Sequence, residues 1–271
     1  MLIIITAAYC SQYLLYASLK TILDRKSQFR LTRYFRDKQH DYFVLGNSRA
    51  VNSVNEKYAN EERRKDLINL SFNGMPYNNV VDILDDVNAN NRGSTIFVEI
   101  TSLLNNDIDN SYSYYLSDSK FVRKTYQHTI YDNICLLRLN NELFLRNIYY
   151  LTQSDNDWIN RSTISQSLIE NVSKADPVTI MTNMEEFTSR LDSLRDKCDR
   201  SGNKLIYFWA PYLPEFRETI SDYSAIVKIL EDDSKRYNFI NLNEVQLPRE
   251  SFADRLHTNY SGSILLTNSL F

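Results

Sequence analysis

At 271 residues, with 31 Lys and Arg against 34 Asp and Glu, the chain carries a formal charge of −3 and offers no basic field to a nucleic acid. That length suits one α/β domain with a full core, and nothing in it demands a second. Aromatics reach 13% while Gly and Pro number 5 each, which excludes a disordered chain and a loop-rich disulfide scaffold.

The first 22 residues form an N-terminal hydrophobic helix in this reading. Leu2, Ile3, Ile4, Ile5, Leu14, Leu15 and Leu19 dominate, and no charge precedes Lys20. Roughly 20 apolar residues span a bilayer, so the run reads as a borderline membrane anchor. The competing reading is a core helix diluted by Ser11, Gln12 and Ser18. A cleaved signal peptide fits poorly, because there is neither a basic leader nor a small-residue cleavage site. Lys20, Arg25, Lys26, Arg30, Arg33 and Arg36 follow the run, and by the positive-inside rule alone they would leave the rest of the chain in the cytoplasm. Residues 23–40 read as a charged, aromatic connector that includes His40.

From residue 41 to 271 the pattern is strand, helix, strand. Tyr42–Leu45 is a buried strand, and Asn55–Asp66 is a solvated helix with a charge run at Glu61–Lys65. Leu67–Ser71 is a second strand. Asn78–Asn91 is a helix with Val80, Ile83, Leu84 and Val87 on one face, and Thr95–Ile100 is a third strand. Residues from about 103 to 180 read as a helical insertion, with helices near Lys120–Asp132 and Cys135–Leu151. His128 falls in the first of these as a packed or surface residue. Tyr112, Tyr114, Tyr115 and Trp158 read as core aromatics, with sugar stacking as the alternative. A helix over Glu185–Gly202, a strand at Lys204–Trp209, a helix over Thr219–Tyr237, a strand at Phe239–Leu242 and a helix over Asn259–Phe271 complete the chain. Repeated strand–helix–strand units imply a mainly parallel five-stranded sheet in a three-layer α/β/α sandwich.

The three cysteines, Cys10, Cys135 and Cys198, lack Cys-x-x-Cys spacing and neighbouring histidines, so no zinc or other metal site is expected. Cys135 and Cys198 would be able to pair in an oxidising compartment, and we read them as buried thiols.

Chemistry concentrates at two places far apart in the chain. Gly46-Asn47-Ser48 follows the first strand, where Gly permits a sharp bend and open α/β sheets place their ligands. The alternative for Ser48 is a helix cap. Near the other end, Asp254-Arg255-Leu256-His257 puts a carboxylate three residues before an imidazole. The aspartate can hold Nδ1–H and leave Nε2 free to take a proton from a serine. Arg49 reads as a salt-bridging residue or as a contact for a substrate anion. Glu99, ending the third strand, reads as a lining residue or a capping carboxylate.

These motifs resemble those of the SGNH, or GDSL-like, hydrolases. Gly46-Asn47-Ser48 takes the place of that family's Gly-Asp-Ser, Asn73-Gly74 that of its second block, and Asp254, His257, Asn259 and Gly262 that of its last. The resemblance covers roughly Asp41 to Phe271, with the insertion unmatched, and it implies the flavodoxin-like, SGNH-type sheet. It implies Ser48 as nucleophile, His257 as general base and Asp254 as its orienter, with Ser48 and Gly74 amides, and Asn73 as a further candidate, binding the oxyanion. The chain departs from the pattern after the third strand. Where the family has Gly-x-Asn-Asp, this chain has Glu99-Ile100-Thr101-Ser102, with Asn105 and Asn106 several residues late. The Gly-Asn-Ser-Arg-Ala form looks like a membrane-tethered bacterial branch associated with surface polysaccharides. It implies a serine-dependent O-acyl, such as acetyl, esterase or acyltransferase without cofactor, anchored to a membrane with an extracytoplasmic domain. Its implied partners are an acylated glycan or acyl donor, a membrane-bound acyltransferase or polysaccharide-assembly proteins. The alternative is an inactive module of the same kind that binds or scaffolds such partners.

Overall fold

A computed structural model describes residues 2–104, 134, 139, 142–153, 158–172, 174, 176–232 and 237–271. In chain order its elements are α1 (Leu2–Lys26), α2 (Arg30–Arg36), β1 (Tyr42–Leu45), α3 (Ser48–Ser53), α4 (Glu56–Glu61), β2 (Leu67–Asn69), α5 (Tyr77–Asn90), β3 (Thr95–Glu99) and α6 (Thr101–Leu104). They continue with α7 (Glu142–Tyr149), α8 (Gln166–Val172), α9 (Met184–Ser201), β4 (Lys204–Trp209), α10 (Pro214–Arg217), α11 (Tyr223–Leu230), β5 (Phe239–Asn241) and α12 (Tyr260–Leu270).

The chain divides into two compact units, Met1–Gln39 with Asp109–Asn156, and His40–Ile108 with Asp157–Phe271. In the first unit, Tyr16 of α1 stacks on Phe144 of α7 with ring centroids 6.1 Å apart, and Phe29 stacks likewise on Tyr150. The Ser27 hydroxyl donates to the Asn147 carbonyl at 2.7 Å, and Thr32 donates to the Asn147 side chain at 3.0 Å. These contacts explain why residues 23–40 are not merely a connector. α1 runs on to Lys26 and α2 forms, because both have apolar and polar partners to bury against. Tyr9, Tyr13, Leu14, Leu15 and Ile22 of α1 are exposed. Among the described residues no helix is long and apolar enough to cross a membrane.

The second unit is the sheet. Its five strands lie in the order β2-β1-β3-β4-β5, and every neighbouring pair is parallel, so the sheet is entirely rather than mainly parallel. Helices cover both faces of a three-layer α/β/α sandwich, and so the strands are apolar runs rather than alternating ones. Phe43 lies in register with Ile68 on one side and Ile96 on the other. Val44, Phe97 and Phe208 pack with Ala50, Val54, Leu242 and Leu266 in one buried cluster. The Tyr207 hydroxyl bonds the Leu191 carbonyl of α9 at 2.5 Å.

This strand order is the doubly wound, flavodoxin-like one. The chain leaves β1 outward to β2 and returns past β1 to β3. Connections therefore diverge at the carboxyl ends of β1 and β3, the crevice where such sheets bind ligands. Ser48 follows β1 directly at that crevice.

Several boundaries differ from those expected, each for a tertiary reason. Of the helix expected over Thr219–Tyr237 the described residues form α11, which starts late because Ile220 pairs with Val178 and the Asp222 carboxylate accepts from the Ile180 and Met181 amides; residues 233–236 lie outside the described residues. The second strand stops at Asn69, whose side chain turns to bond the Ala50 and Val54 carbonyls. Within the expected insertion, α7 falls inside the helix predicted at Cys135–Leu151. The helix predicted near Lys120–Asp132 lies outside the described residues, as do His128, Cys135, Tyr112, Tyr114 and Tyr115. Cys198 is a buried free thiol, and Cys10 is free and exposed.

Candidate functional site

The approach to Ser48 is dictated by crowding. At Gly46, with φ of +155°, a Cβ would stand 2.7 Å from Glu99 Cβ and 2.8 Å from Ala50 Cβ, so the chain passes β3 only if this residue has no side chain. Asn47 then caps α3, its Oδ1 accepting from the Arg49 amide at 3.0 Å. Its Nδ2 donates to Thr101 Oγ1 at 2.9 Å, and that hydroxyl in turn donates to Glu99. An aspartate at this position has no proton to give and would face a buried carboxylate through Thr101. Asparagine at 47 and glutamate at 99 are therefore chemically coupled.

The His257 loop is built as a tight turn. Phe252 and Thr258 form an antiparallel bridge, and the Ala253 amide donates to the His257 carbonyl at 2.9 Å. Asp254 Oδ1 accepts from the Leu256 amide at 2.7 Å and the His257 amide at 2.9 Å. This local wrapping lays the carboxylate against the ring, with Nδ1 at 2.9 Å from Oδ2 and 3.1 Å from Oδ1. An ionised carboxylate only accepts, so it selects the Nδ1–H tautomer and leaves Nε2 as an acceptor. Ser48 Oγ lies 2.8 Å from Nε2. Burial works to raise the Asp254 carboxyl, but the hydrogen bond and charge of His257, with the two turn amides, outweigh it and hold the group below its ordinary value.

Downstream, Asn259 caps α12 by accepting from the Gly262 amide and donates to the Glu250 carbonyl at 2.6 Å and the Ser162 carbonyl at 3.1 Å. Gly262 lets the helix press against the turn at Arg249–Ser251: a Cβ there would overlap the Ser251 carbonyl oxygen.

The structure thus brings together Ser48, Asp254 and His257, with serine and histidine 209 positions apart. It treats the other sequence candidates differently. Arg49 is 5% exposed and Glu99 0%. The guanidinium lies over the Tyr212 ring at 3.4 Å and pairs with Glu99 at 3.6 Å. Glu99 also accepts from the Thr101 amide at 2.9 Å and the Ala210 amide at 3.3 Å. Burial pushes its carboxyl up, against the Arg49 charge and these hydrogen bonds. Both read in the sequence as possible substrate contacts, and both are turned into the protein beneath the Ser48 turn. Gly74 is exposed on the loop after β2 with φ of 66°, beside half-buried Asn73. The Leu70 amide to Val44 carbonyl bond (2.8 Å) and the Phe72 amide to Gly46 carbonyl bond (3.2 Å) run this loop alongside the serine turn. Asn105 lies outside the described residues.

Sequence reasoning missed Thr101, Tyr212 and above all Asn52. The Asn52 side chain donates to the Ser48 carbonyl at 2.7 Å and accepts from the Asn160 amide at 2.8 Å. Its spacing of four from Ser48 on one helix was the available signal. A depression of about 730 Å³ lined by Arg217, Tyr223, Lys228 and Glu244 contains none of the three hydrogen-bonded residues, nor does one of about 380 Å³ at Arg195, Lys204 and Tyr237. Among the described residues it is at Ser48 that a hydroxyl, an imidazole and a carboxylate converge in one hydrogen-bonded series. Among the described residues no three His, Cys, Asp or Glu side chains are grouped to hold a metal ion.

Fold and site together define a doubly wound α/β protein with a Ser-His-Asp hydrogen-bonded series at the carboxyl edge of its sheet. No family model matches the chain, and no curated protein matches its sequence.

Proposed function

We propose that the chain is a serine-dependent O-acyl esterase or acyltransferase of SGNH type, acting on an acylated cell-surface or exported polysaccharide. The single observation that carries this reading is the unbroken series from Ser48 Oγ through the His257 ring to Asp254, with spacings of 2.8 and 2.9 Å. Serine hydroxyls are weak nucleophiles unless a base takes the proton as attack proceeds. Here Ser48 Oγ bonds to the acyl carbon while its proton moves to Nε2, and the carbonyl oxygen becomes an oxyanion. Asp254 stabilises the resulting imidazolium without taking the proton itself. Among the described residues neither the Ser48 nor the Gly74 amide has an acceptor within the protein, which suits them as oxyanion donors. Collapse breaks the bond to the leaving alkoxide, which receives the proton from His257. Water or a sugar hydroxyl then gives its proton to His257 as it attacks the acyl carbon, and the bond to Ser48 Oγ breaks as His257 returns that proton to the serine oxygen. The glycan substrate follows from the resemblance in sequence, and release of acetate from an acetylated polysaccharide by wild type but not by Ser48→Ala tests it.

A second reading, an inactive module that binds glycan-assembly partners, draws on the residues after β3. Thr101, which stands in place of a side-chain oxyanion donor, accepts from Asn47 and donates to Glu99. A fluorophosphonate probe separates the two. Wild-type protein labelled at residue 48, with Ser48→Ala unlabelled, supports the esterase. A folded wild-type protein that resists labelling supports the silent module.

A further inference from the structure

The short helix that presents Ser48 also grips the chain on both flanks of His257. On one side Arg49 Nη1 donates to the Leu256 carbonyl at 2.8 Å, while Nη2 donates to the Ala210 carbonyl at the end of β4. On the other, the Asn52 carbonyl accepts from the Thr258 hydroxyl at 2.7 Å. Leu256 and Thr258 are the immediate neighbours of His257. The arginine is itself immobilised, lying 3.4 Å over the Tyr212 ring with Nε 3.6 Å from Glu99. The segment that provides Ala210 and Tyr212 holds the histidine turn a second time, through the Leu213 amide and the Arg255 carbonyl at 3.1 Å.

We propose that Arg49 is a positioning residue for Ser48–His257 chemistry: its buried guanidinium ties the end of β4 to the Leu256 carbonyl and so fixes the His257 ring against the Ser48 hydroxyl. This rests on the esterase reading for its kinetic consequence, but not for its geometric one. The arginine is too deeply buried to meet a substrate. A planar fork reaches two carbonyls in fixed directions, which a lysine cannot do. Glu99 compensates the buried charge, and Tyr212 restricts how the fork can rotate. Arg49 therefore acts through the imidazole, and a displacement of about 1 Å at the reacting atoms is enough to cost about 100-fold in rate.

The test uses the full chain with Arg49→Ala and Arg49→Lys. Hydrolysis of p-nitrophenyl acetate should fall about 100-fold in kcat for Arg49→Ala, with KM changed by less than about 3-fold. Added guanidinium should restore part of that loss, and Arg49→Lys, which keeps the charge opposite Glu99, should lie between the two. Independently of activity, ¹⁵N NMR of His257 should show a fixed Nδ1–H tautomer in the wild type and an averaged ring signal in Arg49→Ala. Tryptophan emission and a cooperative melt establish folding, and where Arg49→Ala does not fold, Arg49→Lys carries both measurements. A folded variant with kcat within about 3-fold of wild type overturns the proposal, as does an unchanged His257 ring signal. Should wild-type Ser48 resist the fluorophosphonate probe, the esterase reading fails, while the ring signal still decides the role of Arg49.

Discussion

Replacing Gly262 with alanine should destabilise this protein although the residue is helical and alanine is the better helix former. Within a helix the exchange gains up to about 1 kcal/mol. Here the added Cβ would overlap the Ser251 carbonyl oxygen and sit 3.0 Å from Thr258 Cβ and 3.1 Å from Ser251 Cβ. A backbone carbonyl cannot swing aside as a flexible side chain would, and overpacking of this kind costs about 1–3 kcal/mol. The upper half of that range applies, leaving a net loss of about 1–2 kcal/mol after the helix gain. At roughly 2–4 °C per kcal/mol for a chain of this size, Tm should fall by about 2–8 °C. Tryptophan emission is a suitable assay, because both tryptophans, Trp158 and Trp209, belong to the unit that contains the sheet. The contact also abuts Thr258, so fluorophosphonate labelling of Ser48 should slow in the variant. A Gly262→Ala protein that melts at or above the wild-type temperature would refute the packing argument.

Asp254→Asn should leave the fold intact and lower ester turnover by about 10⁴-fold, since an amide can present its N–H to the ring and stabilise the wrong tautomer; steady-state kinetics on p-nitrophenyl acetate reads this. Because the Asp254 carboxyl is held below its ordinary value, its stabilising contribution is present at neutral pH and lost as pH falls through the folded value. The stability gap between wild type and Asp254→Asn should therefore narrow on acidification below about pH 4, measured by urea titration at each pH. Gly46→Ala should yield little soluble protein, as its Cβ would lie 2.7 and 2.8 Å from two other Cβ atoms; normal expression with wild-type labelling would contradict this. Burial pushes the Cys198 thiol up to about 12, so at pH 8 iodoacetamide should modify Cys10 and spare Cys198 until the protein is unfolded, as peptide mass spectrometry would show.

What the sequence disclosed depended on how far each cause reaches along the chain. The Asn47 cap on Arg49 and the Asp254–His257 turn are made by neighbours two or three positions apart, so these motifs were written locally, although the need for glycine at 46 comes from remote Glu99. The parallel sheet followed from apolar runs separated by helical periodicity, since both strand faces must be covered. Arg49 and Glu99 were ambiguous because their partners are remote. Arg49 meets Ala210 and Leu256 at separations of 161 and 207 positions, and no short pattern encodes that. Likewise Ile220–Asp222 carries a helical pattern, and it opens only because Val178–Met181 arrives to occupy its hydrogen-bonding groups. The departure after β3 looked like a missing donor, and the fold shows a buried acid linked through Thr101 to Asn47. Neither substitution was interpretable alone.

The 209 positions between hydroxyl and imidazole also impose a schedule on a growing polypeptide. At translation speeds of about 5–20 residues per second, Ser48 leaves the ribosome on the order of 10–40 s before its base does. Through that interval the nascent chain holds a hydroxyl with no imidazole beside it. On the proposed esterase reading, Ser48 gains its base only once the segment carrying His257 and α12 has packed, with the Asn55 amide on the Thr267 hydroxyl at 2.9 Å, so activation and the packing of that segment are one event.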